Sequence, residues 1–139
     1  MSANTLGVVD LPGVKQSVSA ARRYVAGLLT DAGHVDVEDA VLLVSEVVTN
    51  AVVHTSSGRP GGVVTVEITH QGPDSVCIEV IDDGSPSVPK PRHPDEGDLT
   101  PGGRGLWLVD AIATKWGVRP VEQGRVAVWM EITTAPKTA

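Results

Sequence analysis

Three polar side chains recur at a spacing of four within an otherwise apolar stretch: Glu46, Asn50 and His54 in LLVSEVVTNAVVHT, residues 42–55. At 3.6 residues per turn, positions four apart drift by only about 40° around a helix, so a carboxylate and an amide fall close together on one face. Two readings stay open for such a row: the solvated side of an amphipathic helix, or the polar wall of a groove. Asn is a poor residue for a helix interior, and the flanks of the row are apolar, which favours the groove.

Two further segments carry residue types with chemical use. In CIEVIDDGSPS, Asp82 closes an alternating strand and Gly84 follows two residues later. An acid and a glycine there can be a turn and nothing more. Equally, a carboxylate at a strand end can accept a hydrogen bond from an exocyclic amine, and Gly84 would let a flat ring such as adenine approach the backbone. In PGGRGLWLVD, glycines precede an apolar helix that has no Ser or Asp cap. They can be a hinge that ends a loop. Alternatively, the uncapped N–H groups suit an anion, with Gly103 and Gly105 letting the backbone wrap phosphate oxygens.

Composition limits what these residues can serve. The chain has 139 residues, a common size for one domain, with 11 Lys and Arg against 17 Asp and Glu and a net charge of -6. Nucleic-acid binding needs cations to displace counterions, so direct nucleic-acid binding is not expected. No basic run marks a membrane patch, and no apolar run is long enough to span a bilayer. Cys77 is the single cysteine, which leaves no disulfide framework, and the first residues lack the features of a signal peptide. A reduced, cytoplasmic setting is expected. The four histidines show no zinc-binding spacing. There is no G-x-x-x-x-G-K-[ST] loop, and the glycines near Gly103 do not follow a strand as a Rossmann turn would.

The elements that must position these residues follow from periodicity. Thr5 to Leu11 read as an edge strand closed by Pro12-Gly13. Val14 to Thr30 form a helix with Val18, Ala21, Val25, Leu28 and Leu29 on one stripe. Arg22 and Arg23 lie on its other face. A second helix starts near Asp36, a plausible N-cap, and ends near Thr55, where SSGRPGG breaks the chain. VVTVEITH and SVCIEVID alternate as strands. A loop rich in Pro and Gly, longer than compact domains usually tolerate, leads to a helix with Leu106, Val109, Ala113 and Trp116 on one stripe. GVRPVE and RVAVWMEIT close the domain as strands, with Gly124 in the turn between them. The order predicts an α+β two-layer sandwich: a mixed, mostly antiparallel sheet with its helices packed on one face. We expect a single domain over residues 1–134, a lid over 83–103 within it, and a disordered tail over 135–139.

Together and in this order, SEVVTNAVVH, IDDG and GGRGLWLVDAIATKWGV resemble the three boxes of the gyrase, chaperone, histidine-kinase and mismatch-repair ATPase superfamily, with its Bergerat nucleotide fold. The likeness is closest to the bacterial anti-sigma regulatory factors, which are serine/threonine protein kinases, and it covers nearly the whole chain. The resemblance implies ATP and magnesium as cofactors. It assigns Asn50 to Mg2+ and Glu46 to general base catalysis. Asp82 and Gly84 would hold adenine, and Gly103, Arg104, Gly105 and Leu106 the phosphates. It implies a sigma factor and an antagonist protein as partners, and a homodimer, since many relatives dimerise. Arg22 and Arg23 are the suggested partner surface. His54 fits the pattern as a structural residue at the helix end. Two positions depart from it. Pro86 stands where the second box commonly ends in Gly, and Val126 and Ala127 stand where the last strand often carries a hydroxyl. These departures bear on nucleotide affinity and motivate an alternative, a nucleotide-binding interaction module without kinase activity.

Overall fold

The computed structural model describes residues 4–85 and 106–135. The strands are β1 (Thr5–Pro12), β2 (Val63–His70), β3 (Ser75–Asp82), β4 (Lys115–Val121) and β5 (Arg125–Thr133). They form one sheet in the order β1-β2-β3-β5-β4, and all four pairings are antiparallel. The helices are α1 (Gln16–Asp31), α2 (Glu38–His54) and α3 (Leu106–Ile112). All three pack on one face of the sheet, giving the expected two-layer sandwich.

Side-chain alternation explains why the sheet has two unlike faces. Val64, Val66 and Ile68 of β2 and Val76, Ile78 and Val80 of β3 all point into the helix layer and are buried. Glu67 and Glu79, directly opposite one another, point the other way. On that outer face the Arg119 guanidinium forms a two-point pair with Glu79, at 3.0 and 2.7 Å. The Trp129 indole lies over Gly117, where a Cβ would meet it at 2.7 Å.

With no Phe in the chain, the core is aliphatic. Ala21, Val25 and Leu29 of α1 meet Leu43, Val44 and Val48 of α2 above Ile68, Ile78, Met130 and Ile132. Truncating a fully buried leucine such as Leu43 to alanine would cost about 2–5 kcal/mol, a large part of a typical domain stability of about 5–15 kcal/mol.

Two local expectations are corrected. The second helix begins at Glu38, with Val37 in the cap position, and not at Asp36. Asp36 accepts the Glu38 N–H at 3.3 Å, but its own N–H donates to the Thr134 carbonyl, which ties residue 36 to the exit of β5. The third helix stops at Ile112. Thr114 donates both its N–H and its hydroxyl to the Glu131 carbonyl, and the β4–β5 ladder then takes Lys115 and Trp116. Trp116 therefore lies on a strand. Its indole N–H reaches back to Asp110 of α3 at 2.9 Å, so the helix and strand still share it.

The end of the sheet remote from Asp82 is fastened by a histidine pair. Gly33, at φ 92°, ends the α1 region and turns His34 inward, where it is buried. The His34 Nδ1 faces the Thr134 hydroxyl at 2.5 Å, and its Nε2 faces Nδ1 of His70 at 3.1 Å. Burial and the neighbouring His70 lower the His34 pKa below the ordinary histidine value, and the Asp74 carboxylate opposes them. A histidine depressed in this way binds fewer protons folded than unfolded. Its stabilising contribution is complete above about pH 6.5 and is lost as pH falls towards the folded value. The melting temperature of the wild type should therefore drop between about pH 7 and 5 by more than that of His34→Gln, which cannot take up the proton. Parallel declines in the two proteins would remove His34 from this account.

Candidate functional site

The α2 sequence buries most of its circumference. Ala40, Leu43, Val44, Val47, Val48 and Ala51 are all buried against α1, α3 and the sheet. Glu46, Asn50 and His54 line a half-buried edge of the helix, beside an exposed face with Leu42, Thr49 and Val53. Within this edge the Asn50 Nδ2 atom is buried and has no hydrogen-bond partner among the described residues. Buried amide groups are usually paired, and an orphan costs about 1–3 kcal/mol. The described residues therefore leave this N–H donor unused.

Asp82 is the last residue of β3. Strand parity places it on the same face as Val76, Ile78 and Val80, under the helix layer, where it is 8% exposed. One carboxylate oxygen accepts the Gly84 N–H at 2.7 Å. Gly84 has φ 78°, and a Cβ there would lie 2.1 Å from the Gly124 carbonyl oxygen in the β4–β5 turn. Glycine is thus required at residue 84 by backbone approach alone, before any ligand is considered.

The turn at Asp82 meets the end of α2 directly, since the Ser56 N–H donates to the Gly84 carbonyl at 2.7 Å. The helix edge and the strand-end carboxylate consequently belong to one end of the sheet. The β3–β5 register sets Val126 opposite Asp82 and Ala127 opposite Ile81. Of the two positions without a hydroxyl, Val126 is the one that shares a face with Asp82. Ala127 is fully buried on the other face.

Leu106 opens α3 and packs on the core. Gly103, Arg104 and Gly105 lie outside the described residues, as do Pro86 and nearly all of the expected lid. Arg22 and Arg23 are exposed on α1. Among the described residues no group of three or more His, Cys, Asp or Glu side chains could hold a metal ion. The residues present do suit magnesium held chiefly by phosphates. That hard cation takes oxygen ligands and is commonly bound through one or two protein groups plus substrate oxygens, and the half-buried Asn50 side chain carries one amide oxygen of that kind.

Reading the sequence missed Thr55, Ser57 and Asp83. They form a hydrogen-bonded junction between α2 and the Asp82 turn. The loop SSGRPGG looks like a simple breaker, and nothing local in it signals that Ser57 is fully buried.

The chain belongs to the histidine kinase-like ATPase domain family, whose description matches residues 11–132. It is similar to the serine-protein kinase RsbW of Listeria innocua serovar 6a, 30% identical over 115 residues that cover 75% of this chain and 73% of that one. The serine-protein kinase RsbW of Listeria monocytogenes serotype 4b is 29% identical over the same length.

The orphan amide makes a stability prediction. Asn50→Ala removes an unpaired polar group and installs a better helix former, worth about 0.5–0.7 kcal/mol by propensity. The nucleotide-free melting temperature should hold or rise. A fall of more than a few degrees in calorimetry would mean that the amide serves the fold.

Proposed function

We propose that the domain is an anti-sigma-type serine/threonine protein kinase: it binds ATP with Mg2+, transfers the γ-phosphate to a Ser or Thr of an antagonist protein, and sequesters a sigma factor. The observation that carries this reading is the half-buried pair Glu46 and Asn50 one turn apart on α2, with the Asn50 amide nitrogen buried and without a partner among the described residues. The names of the relatives, serine-protein kinases, agree with it.

In this reading Asp82 accepts the adenine amine, and Gly84 leaves the ring room beside the backbone. Backbone N–H groups of Gly103, Arg104, Gly105 and Leu106 hold the phosphates. Asn50 supplies an oxygen to magnesium, which when bound offsets charge on the phosphates. Glu46 takes the proton of the acceptor hydroxyl as that oxygen attacks the γ-phosphorus and ADP leaves. The segment 83–103 closes as a lid and excludes water. The catalytic unit is a single domain over residues 1–134. Arg22 and Arg23 are part of the partner surface, and the working form is a cytoplasmic homodimer without a nucleic-acid or membrane role. Among the described residues no helix is long and apolar enough to cross a membrane.

A second reading, a nucleotide-binding regulatory module without useful kinase activity, is favoured by Val126. An apolar side chain stands opposite Asp82 where a hydroxyl would add a polar contact to adenine. Labelled ATP with an antagonist protein encoded nearby separates the two. The kinase reading expects phosphoserine or phosphothreonine, and Glu46→Ala should cut transfer about 10²–10⁴-fold while binding a non-hydrolysable ATP analogue as tightly as wild type. Nucleotide binding without transfer leaves the module reading standing. Absence of nucleotide binding sinks both.

A further inference from the structure

We infer that Ser57 is a positioning residue for nucleotide selectivity: its hydroxyl is wedged into the last rung between β2 and β3, and it sets where Asp82 stands relative to the Glu46–Asn50 helix. The inference deepens the nucleotide reading above and rests on it.

The register states the point. Thr65 pairs with Ile81, so continuing the antiparallel ladder by two residues brings Val63 opposite Asp83. In a regular ladder these two would exchange both backbone hydrogen bonds. Neither bond is made directly. The Asp83 N–H donates to the Ser57 hydroxyl oxygen at 2.9 Å, and that hydroxyl donates to the Val63 carbonyl at 2.7 Å. The Val63 N–H donates to the Asp83 side chain at 2.9 Å. A hydroxyl and a carboxylate have taken the place of the rung. The two strands are held together there but cannot close up, and β3 leaves the sheet immediately after Asp82.

Ser57 is itself anchored. Its N–H donates to the Thr55 hydroxyl oxygen at 3.1 Å, and that hydroxyl donates to the Ala51 carbonyl in the last turn of α2 at 2.6 Å. Its carbonyl oxygen is wrapped by glycine backbone. A Cβ at Gly13 would fall 1.6 Å from it, and one at Gly62 2.0 Å. The neighbouring Ser56 N–H takes the Gly84 carbonyl. Hydrogen bonds thus run from the Ala51 carbonyl, next to Asn50, through Thr55 and Ser57 to the Asp83 N–H, the peptide that directly follows Asp82. A buried hydroxyl that only satisfied its neighbours would stabilise the fold and leave ligand preference untouched. One that positions Asp82 must also govern the choice between adenine and guanine, because the exocyclic groups of the two bases differ at the point where the carboxylate accepts its hydrogen bond.

The test uses the whole protein with magnesium and non-hydrolysable analogues of ATP and GTP, read by calorimetric Kd beside the nucleotide-free melting temperature. Ser57→Ala keeps the volume and removes the hydroxyl. It should weaken the ATP analogue about tenfold, the loss of a buried hydrogen bond, and leave the weaker GTP analogue where it was, so that the preference collapses. Thr55→Val should shift the ratio in the same direction and Thr55→Ser should restore it. This pair decides the matter if Ser57→Ala does not fold. A lowered melting temperature with an unchanged ATP-to-GTP ratio overturns the inference and leaves the nucleotide reading intact. A wild type that binds neither analogue overturns both.

Discussion

The burial of α2 governs everything else at the site. The helix packs on α1, α3 and the sheet through Ala40, Leu43, Val44, Val47, Val48 and Ala51, leaves Leu42, Thr49 and Val53 exposed, and holds polar groups half-buried along the edge between. A helix repeats its faces every three to four residues, so any polar groups on that edge must recur at this spacing. Packing thus explains the spacing of Glu46, Asn50 and His54 along one edge, while their identities are not set by it. An edge needed only for solvation would favour strong helix formers. Asn50 is a weak one with a buried, unpaired amide, and the aliphatic core below it has to offset that cost.

Much of the architecture was legible because it is local. Alternation in β2 and β3 and the stripe on α1 record which face of each element is buried: the inward strand residues and Ala21, Val25 and Leu29 are buried, and Val18 and Leu28 of the stripe are half-buried against them. Where the reading failed, the deciding contact came from far away in the chain. Trp116 fits a helical stripe and goes to a strand because Glu131 and Met130 offer it a ladder. His34 and His70 have no ligand-like spacing, yet Thr134, a hundred positions from His34, closes the cluster. Ser57 sits in a segment of turn formers, and its burial depends on Val63 and Asp83. Asp82 and Asn50 were legible as site residues through their types. The junction that joins them was not, since hydroxyls and backbone groups at a strand end leave no periodic trace.

The outer face of the sheet shows what the chain does where burial is not the rule. Glu67 and Glu79 stand directly opposite one another, an arrangement that costs a little in cross-strand repulsion. The Arg119 guanidinium pairs with one of them from an exposed position, a surface interaction worth about 0–1 kcal/mol. The sheet tolerates this because its stability comes from the other side. On the same face the half-buried Trp129 indole takes the space that the missing side chain of Gly117 leaves.

The strand order has a consequence for how the domain can vary. β5 lies between β3 and β4, so the chain that leaves β3 after Asp82 comes back through α3 and the edge strand β4 before Val126 of β5 fills the rung beside Asp82. The two ends of that excursion are clamped side by side, with Gly84 against Gly124. The entropy of closing a flexible loop grows only logarithmically, about 0.6 kcal/mol for each doubling of length. Changes of length between Gly84 and Leu106 therefore cost the scaffold little, whereas changes within α3 or β4 would break the core and the sheet edge. Lineages can remodel the segment between Gly84 and Leu106, and whatever it recognises, without renegotiating the core.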